Sequence, residues 1–252
     1  MYTVAIVNRR GGVGKTVTAH ALGAGLAKKG YSILYCDLDS QTNLTYDCRA
    51  TAAGATAIDV LTGAAPITAA IKSTPHGDIL PATPALAGID IILTETGKEY
   101  RLKEALENVI STYDFTIIDT PPSLGTIVTN ALTAANTVII PAQAEIHSLQ
   151  GIGLLNDTLT AVKKYTNPAL TIDGILLTRY NGRAVISKDM RKNLENLAKA
   201  LNTKTYNTQI RECIAIKEAQ ASQQTIFNYA PKSNAAKDYA ALVNEFLETE
   251  RI

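Results

Sequence analysis

The feature that most narrows the fold is a handover close to the N-terminus. A short β-branched run, Tyr2–Val7, stops at Asn8-Arg9-Arg10-Gly11-Gly12-Val13-Gly14-Lys15-Thr16. A helical pattern then runs from Lys15 to Lys29 with Ala19, Leu22, Ala24 and Leu26 as its apolar positions. Gly30 stands where a glycine closes a helix, and Ser32–Cys36 is the next apolar run. Strand, helix and strand within about thirty-five residues is the spacing of a βαβ unit, which calls for parallel strands joined by crossover helices.

The alternation persists along the chain. Asp78–Leu80, Phe115–Ile118, Thr137–Ile140 and Thr171–Leu177 read as short strands, the last three apolar on both faces as buried parallel strands are. The spacing predicts helices over Glu99–Ile110, with Leu102, Ala105, Leu106, Val109 and Ile110 inward, over Leu149–Tyr165 and over Lys188–Leu201. The expected fold is α/β, a mainly parallel sheet flanked by helices on both faces, as a single domain over residues 1–252. The stretch Ala50–Pro84, rich in Ala, Thr, Gly and Pro, carries the weakest pattern. A hydrophobic fraction of 46% against 19% charged supplies a core and excludes wholesale disorder. No apolar run approaches the length of a membrane span, and Met1 leads straight into the first strand without a signal-peptide pattern. Cys36, Cys48 and Cys213 are too few and too scattered for a disulfide framework or a zinc cluster. The expectation is a reduced, soluble, cytoplasmic protein.

A glycine-rich turn between a strand and a helix is the setting of a phosphate-binding loop. Gly11, Gly12 and Gly14 leave room for backbone N–H groups to approach phosphate oxygens, and the helix starting at Lys15 adds its N-terminal dipole. Lys15 supplies a mobile charge for the β- and γ-phosphates, and the Thr16 hydroxyl suits Mg²⁺. Val13 and Val17 complete the expected nucleotide contacts. The standard spacing G-x-x-x-x-G-K-[ST] is not strictly met, because Arg9 occupies the first glycine position. Two acidic segments follow strands: Asp37-Leu-Asp39-Ser-Gln41-Thr-Asn43 after the second, and Tyr113-Asp-Phe-Thr-Ile-Ile-Asp119-Thr-Pro121-Pro122-Ser-Leu-Gly125 across a later one. Carboxylates at the C-terminal ends of parallel strands face the crevice where ligands bind. Capping of the next helix is the bland alternative, more so for Asp37 than for Asp39.

Arg10-Gly-Gly-Val-Gly-Lys-Thr resembles the deviant Walker A loop, K-G-G-x-G-K-[ST], of the ParA/MinD family of P-loop ATPases, and the two acidic segments resemble that family's D-x-D-P-Q-x-N and Y-D-x-I-I-I-D-x-P-P-S-L-G. Ser40 departs from the usual proline, and Arg10 replaces the lysine that in the family reaches across a nucleotide-sandwich dimer. The resemblance implies ATP and Mg²⁺ as cofactors. It implies catalytic roles for Lys15, Arg10 and Asp39, the last positioning the attacking water. Thr16 would hold Mg²⁺ directly, Asp119 through water, and Asp37 would support the magnesium shell and the switch loop. Thr178, at the end of Gly174-Ile-Leu-Leu-Thr178, and Arg211 fall beside the adenine.

The remainder points to the ParA branch. No cysteine pair suits a bridging iron–sulfur cluster, and the acidic end, Leu242–Ile252, is unlike a basic amphipathic membrane anchor. No DNA-binding extension precedes the first strand, as in the short ParA form. The family implies an ATP-bound homodimer that binds double-stranded DNA without sequence preference, joins the nucleoid, and is released when a ParB-like adaptor stimulates hydrolysis. The chain's net charge is only +1, yet Arg183, Lys188, Arg191, Lys192, Lys199, Lys204, Arg211, Lys217 and Lys232 outnumber the acids near them. Of these, Arg191, Lys199, Arg211 and Lys217 are the expected DNA contacts, with a solvated helix face as the alternative. Positioning of a protein cargo on the nucleoid, a slowly hydrolysing nucleotide-gated scaffold, and a biosynthetic P-loop enzyme are the competing functions.

Overall fold

The computed structural model describes residues 1–180 and 185–250, leaving aside the side chains at 146, 147, 149 and 185–190. Arg183 and the Lys188 side chain lie outside the described residues. The strands are β1 (Tyr2–Ile6), β2 (Ile33–Asp37), β3 (Lys72–Thr74), β4 (Gly77–Leu80), β5 (Phe115–Asp119), β6 (Thr137–Gln143), β7 (Thr171–Tyr180) and β8 (Thr205–Arg211). They form one sheet in the order β3-β4-β2-β5-β1-β6-β7-β8, parallel except where β3 returns against β4 as a hairpin. The α-helices are α1 (Lys15–Ala27), α2 (Asn43–Asp47), α3 (Ala57–Leu61), α4 (Ile67–Ala70), α5 (Ile89–Ile92), α6 (Arg101–Glu107), α7 (Thr126–Ala134), α8 (Ile146–Tyr165), α9 (Val185–Ala200), α10 (Ile214–Ala221), α11 (Ile226–Tyr229) and α12 (Asn234–Glu250).

The expected parallel sheet with helices on both faces is present. Strands β2, β5 and β6 are buried at every position, as continuous apolar runs demand of strands covered on both sides. One core, with Leu34, Leu80, Ile118, Ile140 and Leu177 from the sheet, is closed by Leu102, Leu132, Leu155 and Leu194 from α6 to α9. The opposite core sets Val4, Tyr35, Phe115 and Leu176 against Leu22 and Leu26 of α1 and against Tyr239, Leu242 and Phe246 of α12.

Two glycines let α1 lie close to its neighbours. A Cβ at Gly23 would overlap the buried ring of Tyr35, and one at Gly25 would stand 2.5 Å from Cγ2 of Val243. Leu102, Leu106 and Val109 are buried as expected, but Ile110 is 54% exposed, because α6 ends at Glu107 and the helical face does not reach it. The acidic C-terminal stretch is not a tail. Ala235, Ala236, Tyr239, Leu242, Val243 and Phe246 recur at helical spacing and are buried, as is Asp238, while Glu248 is exposed and Glu245 and Glu250 are partly so.

His20 on α1 and His76 in the β3–β4 turn are both buried, with Nε2 of one 2.8 Å from Nδ1 of the other. Burial, with His76 adjoining, lowers the His20 pKa to about 3, and burial also lowers that of His76. An imidazole whose pKa falls on folding must lose its proton to fold. Its contribution is therefore fully present above its unfolded value of about 6.5 and is lost as the pH falls toward the folded value. The stabilisation contributed by His20 is expected to shrink between pH 7 and pH 5, so the difference in melting temperature between the wild type and His20→Gln, which removes that titration but keeps a polar side chain facing His76, should move in favour of the variant over that range in paired thermal melts.

Candidate nucleotide site

The loop of residues 8–16 is shaped from outside. Asn8, fully buried, donates from Nδ2 to the Pro141 carbonyl at 2.6 Å and accepts the Arg10 N–H at 2.9 Å. At the next two strand ends, Gln143 Nε2 donates to the Gly12 carbonyl at 2.8 Å and the Thr178 hydroxyl donates to the Val13 carbonyl at 2.7 Å. In a planar trans peptide the following N–H points the opposite way. Tethering these two carbonyls to β6 and β7 therefore turns the N–H groups of Val13 and Gly14 into the loop. Gly12 (φ +76°) and Gly14 (φ +89°) adopt left-handed backbone, whereas no neighbour crowds Gly11. Gly14 caps α1 without any side-chain hydrogen bond to the first turn, so the helix presents free donors and its positive end to the concavity.

Lys15 is buried within this concavity, its ammonium 3.1 Å from the Arg10 carbonyl. Burial depresses its pKa, and the carboxylates of Asp119 and Asp39 oppose that shift. Asp37 and Asp119 are paired in register at the carboxyl ends of β2 and β5, and both are fully buried. The Thr16 hydroxyl donates to Asp119 Oδ2 at 2.6 Å, while Asp119 Oδ1 is buried with no hydrogen-bond partner among the described residues. Burial and the neighbouring Asp37 push the Asp119 carboxyl well above the usual carboxylate range. A threonine hydroxyl beside a buried carboxylate with one unused oxygen fits Mg²⁺, a hard cation that takes few protein ligands and keeps several waters. Thr16 would hold it directly and Asp119 through water.

Asp37 accepts from the backbone N–H and hydroxyl of Thr45 (2.8 and 2.7 Å) and from the Asp39 N–H (3.1 Å). Burial raises its pKa to about 6 against these bonds. Thr45 lies in the first turn of α2, so Asp37 caps that helix while also fixing the turn that carries Asp39. Asp39 in turn accepts the Gln41 N–H at 3.0 Å. Asp39, Gln41, Asn43 and Pro122 face the loop across a cleft of about 480 Å³.

A second, apolar cavity of about 160 Å³ adjoins the loop, lined by Val17, Ile210, Ile216 and Tyr239 and by the expected Thr178 and Arg211. Arg211 is paired with Asp238 through Nε (2.9 Å) and Nη2 (2.5 Å). Arg10 is held by Glu145 of the same chain at 2.6 Å. The four expected DNA cations do not form one patch. Arg211 and Lys217 line the apolar cavity, Lys199 sits in the last turn of α9 at the opposite, amino ends of the strands, and Arg191 pairs with Glu195 at 2.9 Å. Asn8, Gln143, Thr45, Glu145 and Asp238 carry much of this geometry without having been singled out from the sequence. Only the first two carry a signal there, as lone amides where an apolar strand meets the site.

Residues 1–172 match the AAA domain family (AAA_31). The sporulation initiation inhibitor protein Soj of Bacillus subtilis is 39% identical over 247 residues, 96% of each chain. The chromosome partitioning protein ParA of Caulobacter vibrioides is 36% identical over 98% of this chain and 94% of its own. Among solved structures, cobyrinic acid a,c-diamide synthase from Mycobacterium smegmatis with bound ADP and magnesium is similar with a TM-score of 0.86 and 32% identity, covering 100% of this chain and 96% of that one. With a phosphate loop whose N–H groups turn inward, a Thr16–Asp119 pair suited to Mg²⁺ and full-length likeness to Soj and ParA, the chain belongs to the ParA/MinD family of deviant Walker A P-loop proteins and is a Mg²⁺-dependent ATPase.

Proposed function

We propose that this ATPase partitions DNA: two copies close on ATP, the closed dimer holds double-stranded DNA without sequence preference, and a ParB-like adaptor stimulates hydrolysis and release. The observation that carries the chemistry is the hydrogen bond from Thr16, which lines one cleft with Asp39, to the buried Asp119, whose second oxygen has no partner among the described residues. The full-length relatives with chromosome-partitioning names support the biological role. The name of the diamide synthase suggests a biosynthetic alternative, but the relatives at 35–39% sequence identity over the whole chain favour partition.

In this reading Lys15 and the inward N–H groups of Val13 and Gly14 hold the β- and γ-phosphates. Val17, Thr178 and Arg211 border the base. Thr16, with Asp119 through water, would hold Mg²⁺, which would supply charge neutralisation at the phosphates. Asp39 aligns a water whose oxygen bonds to the γ-phosphorus as the bridging P–O bond breaks, giving ADP and inorganic phosphate, with the water's proton passing to the phosphate. Such a transfer depends on alignment and charge compensation more than on a strong base. Arg10 adds a cation near the phosphates once dimerisation draws it from Glu145. No helix among the described residues is long and apolar enough to cross a membrane, and the protein acts in the cytoplasm, on the nucleoid when ATP-bound.

Asp39→Ala is expected to bind a fluorescent ATP analogue like the wild type and to hydrolyse ATP about a hundredfold more slowly, accumulating as an ATP-bound dimer on size exclusion. Lys15→Ala, run beside it, should lose nucleotide binding altogether. Normal turnover by Asp39→Ala would remove it from the mechanism. Co-pelleting with plain DNA should require ATP and fail with ADP. For the cations on α9, Arg191→Ala with Lys199→Ala should weaken retention on every sequence and lower the log–log salt slope by about 2. A slope unchanged from the wild type would place the DNA elsewhere.

A further inference from the structure

Gln220 lies on α10, some two hundred residues from the loop in sequence, yet it lines both the triphosphate cleft and the apolar base cavity. The other residues common to these two cavities, Gly12, Gly14 and Val17, belong to the phosphate loop and the first turn of α1. The side-chain amide of Gln220 donates to Asp47 Oδ2 at 2.8 Å. Asp47 is buried and ends α2, the helix whose first turn is held by Asp37. The contact is one of a group. Gln223 donates to the Tyr46 carbonyl at 2.9 Å, and the Arg49 guanidinium donates to the carbonyls of Gln223 (2.8 Å) and Ser222 (3.2 Å). Residues 46–49 and 220–223 are thus clamped together.

The clamp joins two moving parts of the proposed reaction. At its N-terminal end α10 forms a wall of the base cavity through Cys213, Ile216 and Lys217. A helix of eight residues is about 12 Å long, enough to run from that wall to the clamp. Through Asp47 its other end meets α2. From α2 the hydrogen bonds run without a break through Thr45 to Asp37 and on to the Asp39 N–H. Of the residues in the clamp, Gln220 is the one that also lines the two cavities beside the loop.

We propose that Gln220 is a positioning residue, which through Asp47 registers the wall of the base cavity against the turn that carries Asp39, so that a seated base holds Asp39 in line with the water. This rests on the role given to Asp39 above. It makes a specific demand: loss of the Gln220 hydrogen bond must slow the chemical step rather than loosen binding. A residue that only lined the cavity would do the reverse.

The test is steady-state hydrolysis with Mg²⁺ and ATP by full-length Gln220→Met, which keeps the length of the side chain but cannot donate. The expected result is a kcat about tenfold lower with KM within about twofold of the wild type. Asp47→Asn, which keeps an acceptor, should lose less than Asp47→Leu. The Asp47→Leu/Gln220→Met double variant should be no slower than the slower single variant, because both remove the same link. If Gln220→Met does not fold, Gln220→Leu, which has no donor, takes its place in the same cycle. A raised KM with unchanged kcat, or additive losses in the double variant, would overturn the proposal. Asp39→Ala measured alongside separates the two failures: full activity there removes Asp39 from the reaction, whereas an inactive Asp39→Ala beside an additive cycle removes only the coupling.

Discussion

The site depends on backbone carbonyls being held away from it. A loop of glycines has no conformational preference of its own strong enough to aim several N–H groups at one point. Here the aim comes from the ends of β6 and β7, where Gln143 and Thr178 take the carbonyls of Gly12 and Val13, and from Asn8, which ties the start of the loop to Pro141. All three anchors are well buried, where hydrogen bonds are hard to exchange for water. The parallel sheet matters for this reason: it brings the carboxyl ends of neighbouring strands to one level, so residues far apart in sequence can grip one short loop.

The same alignment concentrates negative charge. Asp37 and Asp119 stand side by side with Asp39 beyond them, and an unpaired buried carboxylate costs several kcal/mol. Hydrogen bonds from Thr45 and the Asp39 N–H compensate Asp37, whereas among the described residues Asp119 has Thr16 on one oxygen and no hydrogen-bond partner on the other. Lys15 offsets part of this field, itself depressed by burial. The arrangement is thus better suited to a bound divalent cation than to its own protonation, which connects the unpartnered oxygen to magnesium dependence.

How far the sequence revealed this follows from chemistry. The central strands were readable because apolar runs buried on both faces leave few other options, and the P-loop because glycine, lysine and threonine at fixed spacing have few other uses. The edges were harder. Strand β8 buries Tyr206 and Ile210 among Thr, Asn and Gln, and β3 is only Lys-Ser-Thr, so neither shows a continuous apolar run. Polar residues away from the apolar strands, such as Thr45, Asp238 and Gln220, were the least legible. Such a residue acquires meaning only when a partner arrives from another strand or helix, and that partner is set by topology rather than by spacing.

The arginine at the signature position follows the same logic. A lysine there would offer one compact head. Arg10 instead occupies Glu145 with Nη2, while its Nη1 is buried with no hydrogen-bond partner among the described residues and its backbone carbonyl receives Lys15. A planar guanidinium can keep one edge on an acid of its own chain and still hold a second donor nitrogen in reserve, which an ammonium can do only with less defined geometry. The half-exposed pair with Glu145 is worth little by itself, on the order of 1 kcal/mol or less for such ion pairs. It can therefore orient the side chain without holding it irreversibly, which is what a cation must allow if its final contact lies on a ligand that arrives later.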